Sequence, residues 1–256
     1  MNQLQLFQFP YLSDNYGFLL NDEETGETAA IDCGDAESYL QALDSTSWKL
    51  TEIWITHHHW DHTQGLEEVK AKTGCKVCGP EEKAKAIAGL DEKFWDGDKF
   101  TFAGREVQVI STPGHTTDMI NFYLPSEGKL FSGDTLFTLG CGRLFEGTPQ
   151  MMWEGLQKLM ALPVETLVYG SHEYTLANAK FALSVDKENE MLHARSVEFI
   201  EMREKGEATV PTTLELELAT NPFLRAGDGS IRKALNLQDA SDAAVFAEIR
   251  KRKDNF

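Results

Sequence analysis

Short apolar runs separated by glycine-rich turns fill the first two thirds of the chain. Runs of this length and spacing are typical of β-strands. The predicted strands cover residues 17–20, 29–32, 53–56, 76–78, 107–111, 121–124, 129–132 and 167–169. Helical periodicity appears between some of these runs, and strands that alternate with helices and hairpins indicate an α/β architecture with layers covering the sheet faces.

The segment after residue 147 has the pattern of a capped amphipathic helix. Thr148 is a residue type favoured at the N-cap, Pro149 suits the first helical turn, and Pro163 ends the helix. One apolar face is expected to contain Met152, Leu156, Leu159 and Met160.

The pattern changes after about residue 173, where helices replace strands. Helices are predicted over residues 176–185, 187–205 and 240–253, the last capped by Ser241 or Asp242. The segment TTLELELATNPF alternates too regularly for a helix to be predicted there. We therefore predict one domain over residues 1–173 and a smaller, mostly helical domain over residues 174–256.

The chain is strongly acidic. Its 256 residues include 41 acidic and 24 basic ones, for a formal net charge of −17. Such a charge repels nucleic acid, favours a soluble monomer, and requires local Lys or Arg wherever an anionic substrate binds. No apolar run approaches the roughly 20 residues of a membrane span, and the N-terminus lacks the order of a signal peptide, so a cytoplasmic protein without a membrane partner is expected.

Four cysteines, Cys33, Cys75, Cys78 and Cys141, are too few and too unevenly spaced for a disulfide framework. Cys75 and Cys78 form a CxxC, but the second pair that a zinc ribbon needs is missing, so both are predicted to be small apolar residues. Cys141 has no neighbouring His or Asp in the sequence that would activate it as a nucleophile.

Six of the seven histidines lie in three short motifs. The motifs THHHWDH, TPGHT and GSHEYT contain His57, His58, His59, His62, His115 and His172. A single His is usually an ordinary polar residue, but a chance HxHxDH arises in roughly one comparable chain in a few thousand. Each motif follows a predicted strand, as does SGDT with Asp134, and ligands gather at the carboxyl ends of strands in layered α/β proteins.

The residue types in these motifs indicate a metal centre. The candidate ligands are His57, His59, Asp61, His62, His115, Asp134 and His172. Imidazole and carboxylate without thiolate suit zinc, iron or manganese. Seven ligands exceed the need of one four-coordinate ion but suit two ions that share a bridging carboxylate, and such pairs activate a hydroxide for hydrolysis.

These motifs also carry a resemblance to a known family. HxHxDH with a later His, Asp and His is the signature of the metallo-β-lactamase superfamily, whose fold is an αββα sandwich. Together with FSGDTLF, GCGRLFEG, HEYT, NPFLR and the terminal KRKDNF, the chain resembles the type II glyoxalases, the hydroxyacylglutathione hydrolases, from the first strand to the last residue. The resemblance implies that the C-terminal helices bind glutathione.

The resemblance assigns roles to the candidate ligands by position. It implies His57, His59 and His115 for the first ion, Asp61, His62 and His172 for the second, and Asp134 as the bridge. Asp61, His62 and Asp134 are also implied as catalytic residues. Zinc is the first expectation for both divalent ions, with iron or manganese as alternatives.

Two further residues near the motifs are not expected to bind metal. His58 matches no ligand of the family and is interpreted as structural. Asp32, in AAIDCG, matches an Asp that braces the site, although an Asp before Gly34 is equally typical of a turn.

Substrate binding needs positive charge, because glutathione carries two carboxylates. Arg250 and Lys253 are three residues apart on a predicted helix and share one face; they are interpreted either as a carboxylate clamp or as a solvated basic helix end. The resemblance favours the clamp, and it adds Arg143 and Tyr174 as substrate-binding residues. Phe145 stands where several relatives have tyrosine, so a hydroxyl contact to glutathione is lost.

The implied reaction is hydrolysis of S-D-lactoylglutathione to D-lactate and glutathione, in methylglyoxal detoxification, by a metal-bridging hydroxide. The alternative from another reaction class is a glutathione persulfide dioxygenase with a single iron, which would consume oxygen. A β-lactamase of the commonest type would have Cys in place of Asp134, and a flavin-linked oxygen reductase would need a flavin domain. A metal-binding protein without activity would have no use for Arg143, Tyr174, Arg250 and Lys253.

Overall fold

The computed structural model describes residues 2–81 and 87–256, and the chain divides into two compact units. Unit 1 comprises Met1–Ser111 and Asp118–Gly133, and unit 2 comprises Thr112–Thr117 and Asp134–Phe256. The domain boundary predicted at residues 173–175 stays a prediction. Within the described ranges, no helix is both long and apolar enough to cross a membrane.

Unit 1 contains two sheets and three helices among its described residues. Its strands are β1 (Gln5–Tyr11), β2 (Asn15–Asn21), β3 (Thr28–Ile31), β4 (Glu52–Trp54), β5 (Lys76–Pro80), β6 (Glu92–Phe94), β7 (Lys99–Phe102), β8 (Arg105–Ser111), β9 (Ile120–Leu124) and β10 (Lys129–Gly133). Its helices are α1 (Ala36–Thr46), α2 (Trp60–Thr63) and α3 (Leu66–Thr73).

The strand order in the first sheet follows the sequence, from β1 to β6. Strands β1, β2 and β3 pair antiparallel, whereas β3, β4, β5 and β6 pair parallel. In the second sheet, β10, β9, β8 and β7 lie side by side in that order and pair antiparallel. The parallel strands of the first sheet end at the same edge, where β3 and β4 lead into candidate site residues.

Aromatic side chains join the two sheets of unit 1. The ring of Trp54 in β4 is fully buried, and its centroid lies 5.2 Å from that of Phe102 and 5.5 Å from that of Phe122. Phe18 in β2 lies 5.6 Å from Phe131 in β10. This aromatic layer is the core between the sheets.

The opposite face of the first sheet is covered by helices. Leu19 and Ile53 neighbour Phe18 and Trp54 in sequence and therefore point to the other side of the sheet. They pack in a cluster with Tyr39 of α1 and with Leu66 and Val69 of α3. Because both faces of the central strands are buried, their sequences are continuous apolar runs, which explains why these strands could be predicted.

Unit 2 is mostly helical. Its strands are β11 (Leu136–Phe137), β12 (Gly140–Cys141), β13 (Leu167–Gly170) and β14 (Thr212–Thr213). Its helices are α4 (Pro149–Met160), α5 (Thr175–Val185), α6 (Glu190–Glu204), α7 (Leu214–Thr220), α8 (Gly229–Leu235) and α9 (Asp242–Asp254). Strands β11 and β12 form an antiparallel hairpin, and β13 pairs antiparallel with β14.

The predicted helix caps are found in unit 2. Thr148 accepts a hydrogen bond from the Met151 amide, and α4 ends at Met160, ahead of Pro163. Ser241 rather than Asp242 caps α9 and accepts from the Ala244 amide.

The segment TTLELELATNPF, for which no helix was predicted, begins with β14 and continues as α7. Thr213 provides the N-cap by accepting from the Leu216 amide, and Glu217 on this short helix is fully buried. The alternating pattern is misleading because a carboxylate occupies a core position.

Candidate metal and substrate-binding residues

In unit 1, four candidate ligands come from one segment directly after β4. His57 and His62 are buried, while His59 and Asp61 are partly exposed. The single helical turn α2 begins after His59, and the His62 amide donates to the His59 carbonyl over 3.0 Å. This turn brings Asp61 and His62 back toward the residues that precede it.

Asp32, directly after β3, organises this segment. Its Oδ1 accepts from the Thr56 amide at 2.7 Å, and its Oδ2 accepts from His62 Nδ1 at 2.8 Å. A carboxylate only accepts, so His62 carries its proton on Nδ1 and its lone pair on Nε2. Asp32 also has φ 58°, the left-handed conformation of a turn residue, so it combines both predicted roles.

A second hydrogen-bond chain sets the orientation of His57. The Thr56 hydroxyl lies 3.0 Å from each oxygen of Asp32 and 3.0 Å from His57 Nδ1. Because the hydroxyl proton goes to the carboxylate, Thr56 accepts from His57 Nδ1–H, and the His57 lone pair is on Nε2. That Nε2 lies 3.1 Å from Nδ1 of His59.

Asp61 and His58 have different environments. Asp61 Oδ2 accepts from Asn15 Nδ2 at 3.1 Å and lies 3.4 Å from His62 Nε2. His58, predicted to be structural, bonds through Nδ1 to Asp118 Oδ1 at 2.9 Å.

In unit 2, a single carboxylate joins the other candidate ligands. Asp134 Oδ2 lies 3.3 Å from His115 Nε2, and Asp134 Oδ1 lies 3.2 Å from His172 Nε2. His115 Nδ1–H donates to the Arg143 carbonyl at 2.9 Å, which puts its lone pair on Nε2. All three ligands are buried. One carboxylate with an imidazole at each oxygen is the arrangement expected of a bridging ligand.

The spacing of these atoms fits divalent metal. Two nitrogens at about 2.0–2.1 Å from one tetrahedral zinc ion lie roughly 3.3 Å apart. The ligand pairs within each unit are separated by 3.1–3.4 Å. Histidines and aspartates of the described chain form clusters that can hold a metal ion, and imidazole with carboxylate suits zinc, iron and manganese alike.

The cationic substrate-binding candidates of unit 2 lie around Asp254. Arg250 is buried; its Nε and Nη2 donate to Asp254 Oδ1 at 3.1 and 2.8 Å, and its Nη1 donates to the Cys141 carbonyl at 3.0 Å. Arg143 Nε lies 3.6 Å from the same Asp254 oxygen, with a side chain that is 60% exposed. Lys253 Nζ donates to the Ala177 carbonyl at 2.9 Å. The structure thus brings two arginines to one carboxylate, while Lys253 bonds to a main-chain carbonyl.

Burial changes the pKa of two groups in this region. Desolvation, with repulsion from Arg250, lowers the pKa of Lys253 to about 8. Desolvation raises the pKa of the Cys141 thiol to about 11, so it is a neutral thiol at neutral pH, as its sequence environment predicted. Cys75 and Cys78 are buried with free thiols, which confirms their interpretation as small core residues.

The two aromatic candidates pack against candidate ligands. Tyr174 stacks on His172 with ring centroids 4.8 Å apart and an interplanar angle of 2°. Phe145 is 61% exposed, and its ring centroid lies 5.2 Å from that of His115. Both rings therefore have exposed surface next to the ligands of unit 2.

Asp254 and Phe223 were missed in the sequence. Asp254 is four residues after Arg250, the spacing of a helical ion pair, and this signal was available. Phe223 lies under the Arg250 guanidinium at 5.0 Å, a contact between distant segments that no sequence pattern indicates.

Comparison with known proteins supports both the fold and the family resemblance. The family model described as the metallo-beta-lactamase superfamily matches residues 17–172, and the model described as the hydroxyacylglutathione hydrolase C-terminus matches residues 173–256. A hydroxyacylglutathione hydrolase of Rhizobium meliloti (strain 1021) is 52% identical over 256 residues, and one of Maricaulis maris (strain MCS10) is 49% identical; each alignment covers 100% of both chains.

Solved structures share the fold at lower identity. ETHE1 from Myxococcus xanthus is 25% identical with a TM-score of 0.65, covering 98% of this chain and 97% of that chain. BLEG-1 B3 metallo-beta-lactamase is 22% identical with a TM-score of 0.65, covering 86% of this chain and 99% of that chain. At this level of identity, the similarity is evidence for the fold alone. The predicted α/β metallo-β-lactamase fold is confirmed. The chain belongs to the hydroxyacylglutathione hydrolase family of the metallo-β-lactamase superfamily.

Proposed function

We propose that this chain hydrolyses glutathione thioesters of 2-hydroxy acids, S-D-lactoylglutathione foremost, and releases D-lactate and glutathione in methylglyoxal detoxification. The proposal is supported by relatives named hydroxyacylglutathione hydrolase, which align over the whole chain at about half identity. The match of residues 173–256 to the C-terminal model of that family supports a glutathione thioester over other substrates.

The metal centre is dinuclear in this proposal. His57, His59 and His115 would hold the first ion, Asp61, His62 and His172 would hold the second, and Asp134 would serve both. Two divalent ions held there would supply a hydroxide nucleophile and polarise the thioester carbonyl. The observation that carries the proposal is the Asp134 carboxylate, which presents one oxygen to His115 and the other to His172.

The chain's own residues orient the imidazoles that would bind metal. Asp32 and Thr56 hold the lone pairs of His62 and His57 on Nε2, so neither imidazole must change tautomer to bind metal. The leaving group is a thiolate, which needs little protonation, so no dedicated general acid is required.

Substrate carboxylates bind to the cations of unit 2. Arg143, Arg250 and Lys253 supply local positive charge on a protein with a formal net charge of −17. Tyr174 and Phe145 offer apolar surface beside His172 and His115 for the rest of the thioester.

The finer assignments extend this proposal. We assign the metal domain to residues 1–173, the glutathione-binding helical domain to residues 174–256, and zinc to both metal positions, with iron or manganese as the other choices. The acidic surface supports a monomer that binds neither nucleic acid nor membrane. Four buried cysteines with free thiols fit the reducing conditions of the cytoplasm.

The direct test is the loss of thioester absorbance of S-D-lactoylglutathione with metal-loaded protein. We expect hydrolysis that stops on chelation and falls by roughly a thousandfold in His59→Ala, about 4 kcal/mol of transition-state stabilisation. Arg250→Ala is expected to raise KM. His193→Ala is the matched control, because His193 is exposed and its side chain bonds only to the Lys187 carbonyl among the contacts described.

Oxygen uptake with glutathione persulfide is measured in parallel. Oxygen consumption without thioester hydrolysis, by protein loaded with a single iron, would overturn the hydrolase and establish the dioxygenase instead. Equal loss of hydrolysis in His193→Ala and His59→Ala would contradict the assigned metal ligands.

A further inference from the structure

The β11–β12 hairpin and the residues that flank it are linked to every candidate ligand of unit 2. Asp134 lies two residues before β11. Arg143 follows β12 by two residues, and its carbonyl holds His115 Nδ1 at 2.9 Å. The Phe137 ring meets that of His172 edge-on, with centroids 5.7 Å apart. A shift of this hairpin therefore moves all three ligands.

Side chains from the helical part of unit 2 hold the hairpin by its main chain. Asn178 of α5 donates to the Thr138 carbonyl at 3.1 Å. Asn221, just after α7, donates to the Gly140 carbonyl at 3.0 Å, and the same nitrogen lies 3.3 Å from the Phe137 carbonyl. The Arg250 donation to the Cys141 carbonyl continues the same series. Nearly every residue of the hairpin is thus fixed by a polar side chain.

The turn of the hairpin depends on Glu217. Leu139, in this turn, has φ 56°, a left-handed conformation that is strained for residues other than glycine, and it is fully buried. Its amide donates to Glu217 Oε2 at 2.8 Å, and Asn221 Nδ2 donates to the same oxygen at 3.0 Å. Glu217 Oε2 therefore binds both Leu139, in the strained turn, and Asn221, which contacts the residues on either side of that turn.

The other oxygen of Glu217 is also fully used. Oε1 accepts from Arg195 Nη2 at 2.9 Å and from the Thr212 hydroxyl at 3.0 Å. Glu217 is 0% exposed, and Arg195 supplies the positive charge that makes its burial tolerable. Both oxygens thus face donors only, and an amide in place of the carboxylate would set an NH2 group against donors in either orientation.

We propose that Glu217 is a positioning residue of the metal centre, which it serves by holding the β11–β12 turn and, through the hairpin, Asp134, His115 and His172. The inference deepens the proposed function and rests on it for the metal centre. In the family, the C-terminal helices are expected to bind glutathione; here α7 has the additional role of fixing metal ligands.

The test is metal retention by Glu217→Gln. Fully loaded protein is dialysed against graded concentrations of a chelator, and bound zinc per chain is measured by mass spectrometry. We expect about tenfold weaker zinc retention than in the unsubstituted chain, the lower end of the effect of removing a group that orients ligands. Glu127→Gln is the matched control, since the side chain of Glu127 is only 5% exposed and pairs with Arg105 at 2.9 Å in unit 1.

Thermal unfolding of both variants separates positioning from general destabilisation. Weaker zinc retention in Glu217→Gln alone, at comparable loss of stability, supports the proposal; equal retention in the two variants overturns it. If Glu217→Gln does not fold, Asn178→Ala removes one uncharged bond to the same hairpin and must weaken zinc retention in the same direction, or the proposal fails. None of these measurements uses the thioester, so their outcome is independent of whether the proposed hydrolysis is found.

Discussion

The two units position their candidate metal ligands in different ways. In unit 1, four candidates lie within six consecutive residues, and a single side chain, Asp32, sets the tautomer of His62 directly and that of His57 through Thr56. In unit 2, the candidates come from three separate segments. There the tautomer of His115 is set by a main-chain carbonyl, that of Arg143. Ligand geometry in unit 1 therefore depends on a side chain that substitution can remove, whereas in unit 2 it depends on the path of the backbone.

Among the changes that test this difference between the units, Asp32→Asn has the largest expected effect. Asparagine tolerates the left-handed backbone at this position, but its single acceptor cannot serve both Thr56 and His62. We expect zinc retention to weaken by about 10–100-fold, as for other groups that orient metal-binding histidines. Chelator competition followed by metal analysis measures this effect.

Arg143→Ala is the counterpart in unit 2. The substitution keeps the carbonyl that holds His115, so zinc retention should match that of the unsubstituted chain, while KM for the thioester rises because a cation is lost. Zinc loss in Arg143→Ala as severe as in Asp32→Asn would refute the distinction between side-chain and main-chain control.

Raising the pH is expected to produce the next largest effect, an increase in KM. Burial and the Arg250 charge lower the pKa of Lys253 to about 8, so its protonated fraction falls as the pH rises from 7 to 9. Since only the ammonium form attracts a substrate carboxylate, KM is expected to rise several-fold over this interval. Steady-state kinetics with S-D-lactoylglutathione at constant ionic strength provide the measurement.

Lys253→Arg is the control for that titration. A guanidinium stays protonated throughout this interval, so the rise in KM should disappear in the variant. A rise of the same size in both proteins would assign the titration to another group.

Phe145→Tyr has the smallest expected effect. The Phe145 ring is 61% exposed beside His115, so an added hydroxyl can reach a bound substrate without entering the core. One new hydrogen bond contributes about 0.5–1.5 kcal/mol, so KM should fall by roughly 2–10-fold with little change in kcat. An unchanged KM would show that the glutathione chain does not pass this ring.

Much of unit 1 could be predicted because its signals are local. The central strands are buried on both faces and therefore are continuous apolar runs, while the edge strands β1, β6 and β7, which have exposed residues, were missed. HxHxDH after a strand indicated the candidate ligands of unit 1, and one helical turn, α2, is enough to bring them together.

The sequence by itself determined the family, the α/β fold and the residue types of a metal centre, because periodicity and short motifs record local geometry. The tertiary structure decided which nitrogen of each of three imidazoles, His57, His62 and His115, has the lone pair, that Asp254 lies among the cations, and that Glu217 occupies the core. Glu217 shows the reason most clearly: its charge is balanced by Arg195 and its oxygen is used by Leu139, 22 and 78 residues away in sequence. Only folding brings such groups together, and a buried carboxylate is stable only once its partners surround it.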